Sequence, residues 1–141
     1  IPVCYEGDLA PDLEHVAGAC GLSSAEVIAA HAAPVYTVYL IGFSPGFPYM
    51  GDLDARLALP RRAEPRSRVA AGSVAIATGY TAIYPQATAG GWHVIGATPL
   101  ALFDASRDRP ALLSPGDSVH FEPIARAEFD RLCARQKRDG N

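Results

Sequence analysis

Two short stretches of the chain combine residue types that bind or orient ligands. The first is Gly42-Phe43-Ser44-Pro45-Gly46-Phe47-Pro48-Tyr49-Met50-Gly51, where ten residues hold three glycines, two prolines and three aromatics. Glycine supplies backbone angles closed to other residues, and proline fixes φ and removes a donor, so the path of such a loop is specified. Aromatic rings on it must pack on the body of the protein or wall a recognition site. The second stretch, Ala89-Gly90-Gly91-Trp92-His93, is a turn that delivers an indole and an imidazole. Between them, Pro60-Arg61-Arg62-Ala63-Glu64-Pro65-Arg66-Ser67-Arg68 carries four arginines. Pro60 and Pro65 pin the backbone beside Arg61 and Arg66 and suit them to carboxylate capture, whereas the bland reading of all four arginines is a solvated face.

Other chemistries lack their residues. There is no G-x-x-x-x-G-K-S/T nucleotide loop, and no G-x-S-x-G elbow surrounds Ser44, Ser73 or Ser114. The single lysine, Lys137, lies in the tail, which argues against Schiff-base and Ser/Lys amidase mechanisms. His15, His31, His93 and His120 have no metal-ligand spacing, so no metal is expected. His15 and His31 read as surface or half-buried helix residues, and His120 as a solvent-facing strand residue. His93 is the candidate hydrogen-bonding group, beside an indole that is either core or pocket wall. Cys4, Cys20 and Cys133, an odd number without C-x-x-C spacing, read as free thiols packed as small apolar groups in a reducing, cytoplasmic setting.

The elements that position these residues are legible in outline. The 141 residues, 49% hydrophobic and 19% charged, suffice for one domain with a core. A net charge of −3 gives no footprint for nucleic acid, and no apolar run reaches the ~20 residues of a membrane span. Pro11, then Leu13, Val16, Ala17 and Cys20 on one face, predict a helix closed by Gly21, with Asp12 and Glu14 charging its first turn. Ser23 and Glu26 form a capping box, with Leu22 and Val27 as staple, for a second helix that runs to about His31 before Pro34. Strands are expected at Val35–Ile41, Ser73–Thr78, Ala82–Tyr84, Trp92–Ile95, Ala101–Phe103 and Ser118–Glu122, a barrel or sandwich pattern. Residues 60–68 read as an extended surface loop. Ala125–Lys137 reads as a helix packed back on the strands through Phe129, Leu132 and Cys133, and Arg138–Asn141 as a frayed end. Ile1-Pro2-Val3-Cys4-Tyr5 reads as a strand opening a piece of a longer protein.

The ordered motifs Gly42-Phe-Ser-Pro-Gly-Phe-Pro-Tyr, Pro60-Arg61, Pro65-Arg66, Ala71-Gly72-Ser73-Val74-Ala75-Ile76-Ala77, Tyr84-Pro85 and Gly90-Gly91-Trp92-His93-Val94-Ile95-Gly96-Ala97-Thr98-Pro99 resemble one family. It is the family of the sporulation-kinase inhibitor KipI, the B-type subunit of 5-oxoprolinase and allophanate hydrolase subunit 1, matched from Ile1 to about Ile124. The resemblance implies a mainly β fold: a cyclophilin-like closed β-barrel with two short N-terminal helices and a C-terminal helix. It further implies that residues 1–141 are the C-terminal half of a protein whose smaller α/β half precedes it. The implied partners are a C-type or KipA-type cyclophilin-like protein and a third oxoprolinase subunit, together opening 5-oxoproline with ATP that the complex consumes. The same modules resemble the carboxyltransferase region of urea carboxylases.

The leading expectation is a non-autonomous subunit of a hydrolase that acts on a cyclic amide. In that reading Phe43, Phe47 and Trp92 form apolar walls, with Pro45 on the same loop. Gly46, Gly90 and Gly91 admit backbone donors, Ser73, Tyr84 and His93 offer hydrogen bonds, and Arg61 or Arg66 orients a carboxylate. Phe47, placed at a loop tip, is expected to matter less to the core than a strand residue. The Phe43–Gly51 loop and the Gly90–His93 turn are expected side by side. Two alternatives stand beside it: a binding module that inhibits a sensor histidine kinase through the same surface, and motifs that only knit the barrel and its partner interface.

Overall fold

The computed structural model describes residues 1–139. Helix α1 (Leu13–Cys20) ends at Gly21, whose φ of 69° is the left-handed geometry that glycine adopts at no cost. Helix α2 (Ser24–Ala32) starts with both halves of the capping box in place: the Glu26 N–H donates to Ser23 Oγ, and the Ser23 N–H to Glu26 Oε1. The expected first long strand is β2 (Tyr36–Ile41), preceded by β1 (Pro2–Val3). The second half of the aromatic loop is itself a strand, β3 (Pro48–Gly51), paired antiparallel to β2, so the motif is a hairpin with its tip at residues 42–47.

The 60–68 segment is also more ordered than its prolines and charges suggest. Its end forms β4 (Arg66–Val69), paired with the unexpected β7 (Thr88–Gly90). The pairing is interrupted by a register shift and buries only Val69, so no alternation reaches the sequence. Strands β5 (Ser73–Ala77), β6 (Tyr80–Ile83) and β8 (His93–Ala97) match the expected runs closely. Ala101–Phe103 is not a strand; Phe103 alone bridges Ala111. Ser118–Glu122 splits into β9 (Ser118–Val119), antiparallel to β2, and β10 (Glu122–Pro123), parallel to β1, because the chain changes partner midway. Helix α3 (Arg126–Asp139) includes Arg138 and Asp139, expected to fray, while residues 140–141 lie outside the described residues. It is tied at its start by the Arg126 N–H to Glu6 and the Arg126–Asp8 ion pair, and Phe129, Leu132 and Cys133 are half-buried.

Six strands form one antiparallel sheet in the order β8-β5-β6-β3-β2-β9. Its ends are drawn together. Cys4 exchanges backbone hydrogen bonds of 2.9 and 3.0 Å with Ala97 of β8, while β1 pairs with β10, which follows β9 after His120 and Phe121. These links tie both ends of the sheet to the N-terminal segment, in a mainly β fold with two N-terminal helices and a C-terminal helix as the resemblance implies. Strand β5 is buried on both faces: Val74 and Ile76 join the core under α1 and α2, while Ala75 and Ala77 join a second core containing Phe47, Tyr84 and Trp92. Cys4, Cys20 and Cys133 are free thiols. No helix among the described residues is long and apolar enough to cross a membrane.

His31, expected at or near the surface, is fully buried at the centre of the main core. Thr81 Oγ1 donates to the Ala75 carbonyl, so it accepts from His31 Nε2–H at 2.9 Å, and Nδ1 accepts the Tyr5 hydroxyl at 2.7 Å. Phe121 stacks on the ring at 4.6 Å. Burial pushes the His31 pKa down to about 3. The folded value lies below the unfolded value of about 6.5, so this stabilisation is complete above pH 6.5 and declines as acid protonates the unfolded chain. Urea titrations should lose about 1.5 kcal/mol between pH 6.5 and pH 5, and His31→Gln should flatten that slope. An equal slope in the variant would refute the assignment.

Candidate functional site

Two recesses share the wall made by residues 59–66. The smaller, about 300 Å³, is aromatic: Phe43, Phe47, Tyr49, Tyr84 and Trp92 line it, with Arg61, Pro65, Gly90 and Gly91. Strands β2 and β3 carry the hairpin that brings Phe47 and Tyr49, two residues apart, onto one face. Phe47 contacts Trp92 edge-on at 5.9 Å and Tyr84 at 5.2 Å, and Tyr49 meets Trp92 at 5.8 Å. The hairpin tip and the Gly90–Trp92 turn therefore do lie side by side.

The aromatic residues divide by burial. Phe47, Tyr84 and Trp92 are 1%, 1% and 6% exposed and belong to the second core, whereas Phe43 stands 64% exposed at the rim. The expectation that Phe47 matters little to the core is therefore wrong: the loop-tip residue packs under β5 and β6, and Phe43 is the presented ring. Phe43 holds a φ of 69°, unusual for a non-glycine residue and worth about 1–3 kcal/mol of strain. Gly90 is required because a Cβ there would collide with the Tyr84 hydroxyl. Burial pushes that hydroxyl's pKa up, opposed by the Trp92 backbone N–H and the Arg61 charge. The pocket holds no nucleophile and no base poised near neutrality. Its chemistry is apolar contact, with one guanidinium at the edge.

The other expected residues lie elsewhere. Gly46, with φ 81°, faces Phe103 and the Leu102 carbonyl rather than a ligand, and Pro45 is exposed on the tip. At Gly91 a Cβ would make only ordinary contacts with Pro65 and Arg61. Ser73 lines a separate recess with Arg66, Val69 and Phe129. His93 cannot serve the indole's pocket, because successive strand residues point to opposite faces. Its Nε2–H instead donates to the Pro60 carbonyl at 2.9 Å, and its ring faces the second recess.

That second recess is a polar cleft of about 780 Å³ between α1 and residues 59–66, lined by Asp12, His15, Arg61, Arg62, Glu64, Arg66 and His93. At its base Asp12, 4% exposed, accepts Arg66 in a two-point pair at 2.5 and 2.7 Å and the Val94 N–H at 2.7 Å. Arg66 thus captures a carboxylate, as its setting suggests, but one belonging to the protein. Burial alone would raise the Asp12 pKa; the bonds from Arg66 and Val94, with the charges of Arg66 and Arg62, outweigh it and hold the carboxyl below its ordinary range. Asp12, Arg62, His15 and Tyr49 are absent from the site residues expected from sequence. Tyr49 is findable from its spacing to Phe47, whereas Arg62 lacks the flanking proline that marks Arg61 and Arg66.

Residues 1–113 match the sequence profile described as the carboxyltransferase domain, subdomain C and D. The chain is 55% identical over 123 residues to the B-type subunit of 5-oxoprolinase from Escherichia coli O157:H7, covering 87% of this chain and 56% of that protein. It is 49% identical over 129 residues to the protein of the same name from Bacillus subtilis strain 168, covering 92% and 54%. The chain therefore spans about half the length of the curated relatives it matches. Among solved structures, a conserved uncharacterized protein of Pyrococcus horikoshii superposes with a TM-score of 0.88 at 47% identity, covering 92% of this chain and 60% of that one. The Kluyveromyces lactis urea amidolyase shares the fold, with a TM-score of 0.73 at 24% identity over 92% of this chain and 10% of that one.

The burial difference gives a direct test. Phe43→Ala should shift the unfolding free energy by less than about 0.5 kcal/mol, while Phe47→Ala should cost about 3–5 kcal/mol. Urea unfolding of both variants decides it, and similar costs would contradict the division into rim and core.

Proposed function

The chain belongs to the carboxyltransferase-domain family, subdomain C and D, and on that premise we propose that it is the C-terminal domain of a 5-oxoprolinase B-type subunit. The observation that carries this reading is the 49–55% identity, over most of the chain, to relatives bearing that name. In this reading the domain works within a multi-subunit hydrolase that opens 5-oxoproline, a cyclic amide, at the expense of ATP. Its partners are a second cyclophilin-like protein, of the C type, and a third oxoprolinase subunit. The nucleotide is handled outside this chain, whose sequence has no phosphate-binding loop. The curated relatives carry the enzyme-subunit name, and the kinase-inhibitor alternative is not favoured.

The aromatic pocket fits a binding role within such an assembly. Phe43 and the ring edges of Tyr84 and Trp92 offer an apolar surface, and Arg61 offers a cation at its margin. Binding energy is supplied there, and bond cleavage requires groups from other parts of the complex.

The full-length protein assembled with both partner subunits should hydrolyse ATP only when 5-oxoproline is present, and the present chain alone should turn over neither 5-oxoproline, allophanate nor urea amides. Phe43→Ala in the assembled enzyme should reduce turnover or assembly several-fold while leaving the fold intact. Turnover by the isolated chain after removal of contaminating enzymes, or a full complex indifferent to 5-oxoproline, would overturn the reading.

A further inference from the structure

We infer that the recess between β4, β8 and α3 is a binding site for a small amphipathic anion, one oxyanion head on an aliphatic body. The recess encloses about 260 Å³ and shares no lining residue with the aromatic pocket. One side chain carries the inference. Ser73, the single polar residue of β5, is 7% exposed and lines this recess, yet its hydroxyl makes no hydrogen bond among the described residues. It is not among the unpartnered atoms that the protein closes off from solvent, so an occupant of the recess can reach it. The Ser73 N–H already donates to the Ala70 carbonyl, and its carbonyl accepts the Tyr84 N–H. The hydroxyl is what remains, and a hydroxyl largely removed from water is ordinarily matched.

Charge defines the head of the ligand. Three charged side chains line the recess: Asp8, Arg66 and Arg68. Asp8 is taken by Arg126 at 2.6 Å, and Arg66 by both oxygens of Asp12. Arg68, exposed on β4, enters no ion pair among the described residues. One positive charge is therefore left over at the recess. A single oxyanion placed there accepts from the Arg68 guanidinium and from the Ser73 hydroxyl, and supplies both with the partner they lack.

The remaining walls define the body. Leu9, Val69, Val94, Ala97 and Phe129 are apolar, and Val69 and Val94 are buried members of the second core. Phe129 comes from α3, whose first residue is pinned to Glu6 and Asp8, and is itself half-buried. An aliphatic chain beside it takes further apolar surface out of water. The lactam N–H and carbonyl of 5-oxoproline would find no partner among these side chains, so the site selects against that molecule. The inference is thus independent of the function proposed above and concerns a different class of ligand.

The test follows backbone amide and indole signals of the nitrogen-labelled chain by NMR with four probes: hexanoate (head and body), acetate (head only), hexanamide (body without charge) and 5-oxoproline. Hexanoate should shift the Arg68, Ser73 and Val94 amides saturably, with a Kd about tenfold or more below those of acetate and hexanamide. The Trp92 indole signal should stay in place, and 5-oxoproline should not displace hexanoate. Arg68→Gln and Ser73→Ala, one on an exposed residue and the other removing a single oxygen, should each raise the hexanoate Kd about tenfold. No saturable shift up to about 20 mM hexanoate, equal binding of hexanamide, or displacement by 5-oxoproline would overturn the inference on the unaltered protein. A Kd unchanged in either variant would overturn it as well. None of these readouts needs turnover or partner subunits, so the outcome is separate from whether the oxoprolinase reading stands.

Discussion

The buried carboxylate of Asp12 holds together the end of this domain that carries both recesses. It sits where α1 begins, yet it caps no helical N–H; its oxygens go to the two-point pair with Arg66 and to the Val94 N–H. The backbone repeats the tie, since the Asp12 N–H donates to the Val94 carbonyl at 2.9 Å. Helix α1, strand β4 and strand β8 therefore meet at one charged group. Its folded pKa lies below the unfolded value, so this stabilisation is in place above about pH 4 and is lost as pH falls through the lower folded value.

The placement of both recesses follows from that junction. Fixing Arg66 fixes the end of the 59–66 segment, and Arg62 and His93 pin the rest through Gly91 and Pro60. Arg61 is left between the recesses, facing the aromatic pocket on one side and the polar cleft on the other. Strand alternation then assigns the neighbours Trp92 and His93 to different recesses. A domain with no lysine near its recesses and no reactive serine setting can still present two chemically distinct surfaces, one for apolar contact and one for charge and directed hydrogen bonds.

The legible parts of this architecture are local. The capping box at Ser23 and Glu26, the glycine stop at Gly21 and the apolar run of β5 each carry their whole signal within a few residues. The hairpin at 42–51 is visible as a rigid aromatic motif, but its return strand is hidden because Pro48 and Gly51 read as loop residues. What stays hidden depends on partners distant in sequence. His31 looks like any helix histidine until Tyr5 and Thr81 close around it. Asp12 looks like a helix-start acid until Arg66, 54 residues on, reaches it. Of the site residues, the rings at 43, 47, 84 and 92 do come together, because glycine-rich turns and aromatics co-occur where chain segments meet. His93, Ser73 and Arg66 separate from them because strand parity and a salt bridge to the protein itself cannot be read from residue type.

The central claim is that Asp12 and Arg66 act as one structural unit, and a double-mutant cycle measures that directly. Asp12→Asn, Arg66→Gln and the double variant would be unfolded in urea at pH 7 and low salt. Each single change strands a charge, the half-buried Arg66 or the buried Asp12, so the two costs should fail to add, with a coupling of about 2 kcal/mol or more. A coupling below about 0.5 kcal/mol, with additive single effects, would show that the pair is incidental and that the recesses are held by other contacts.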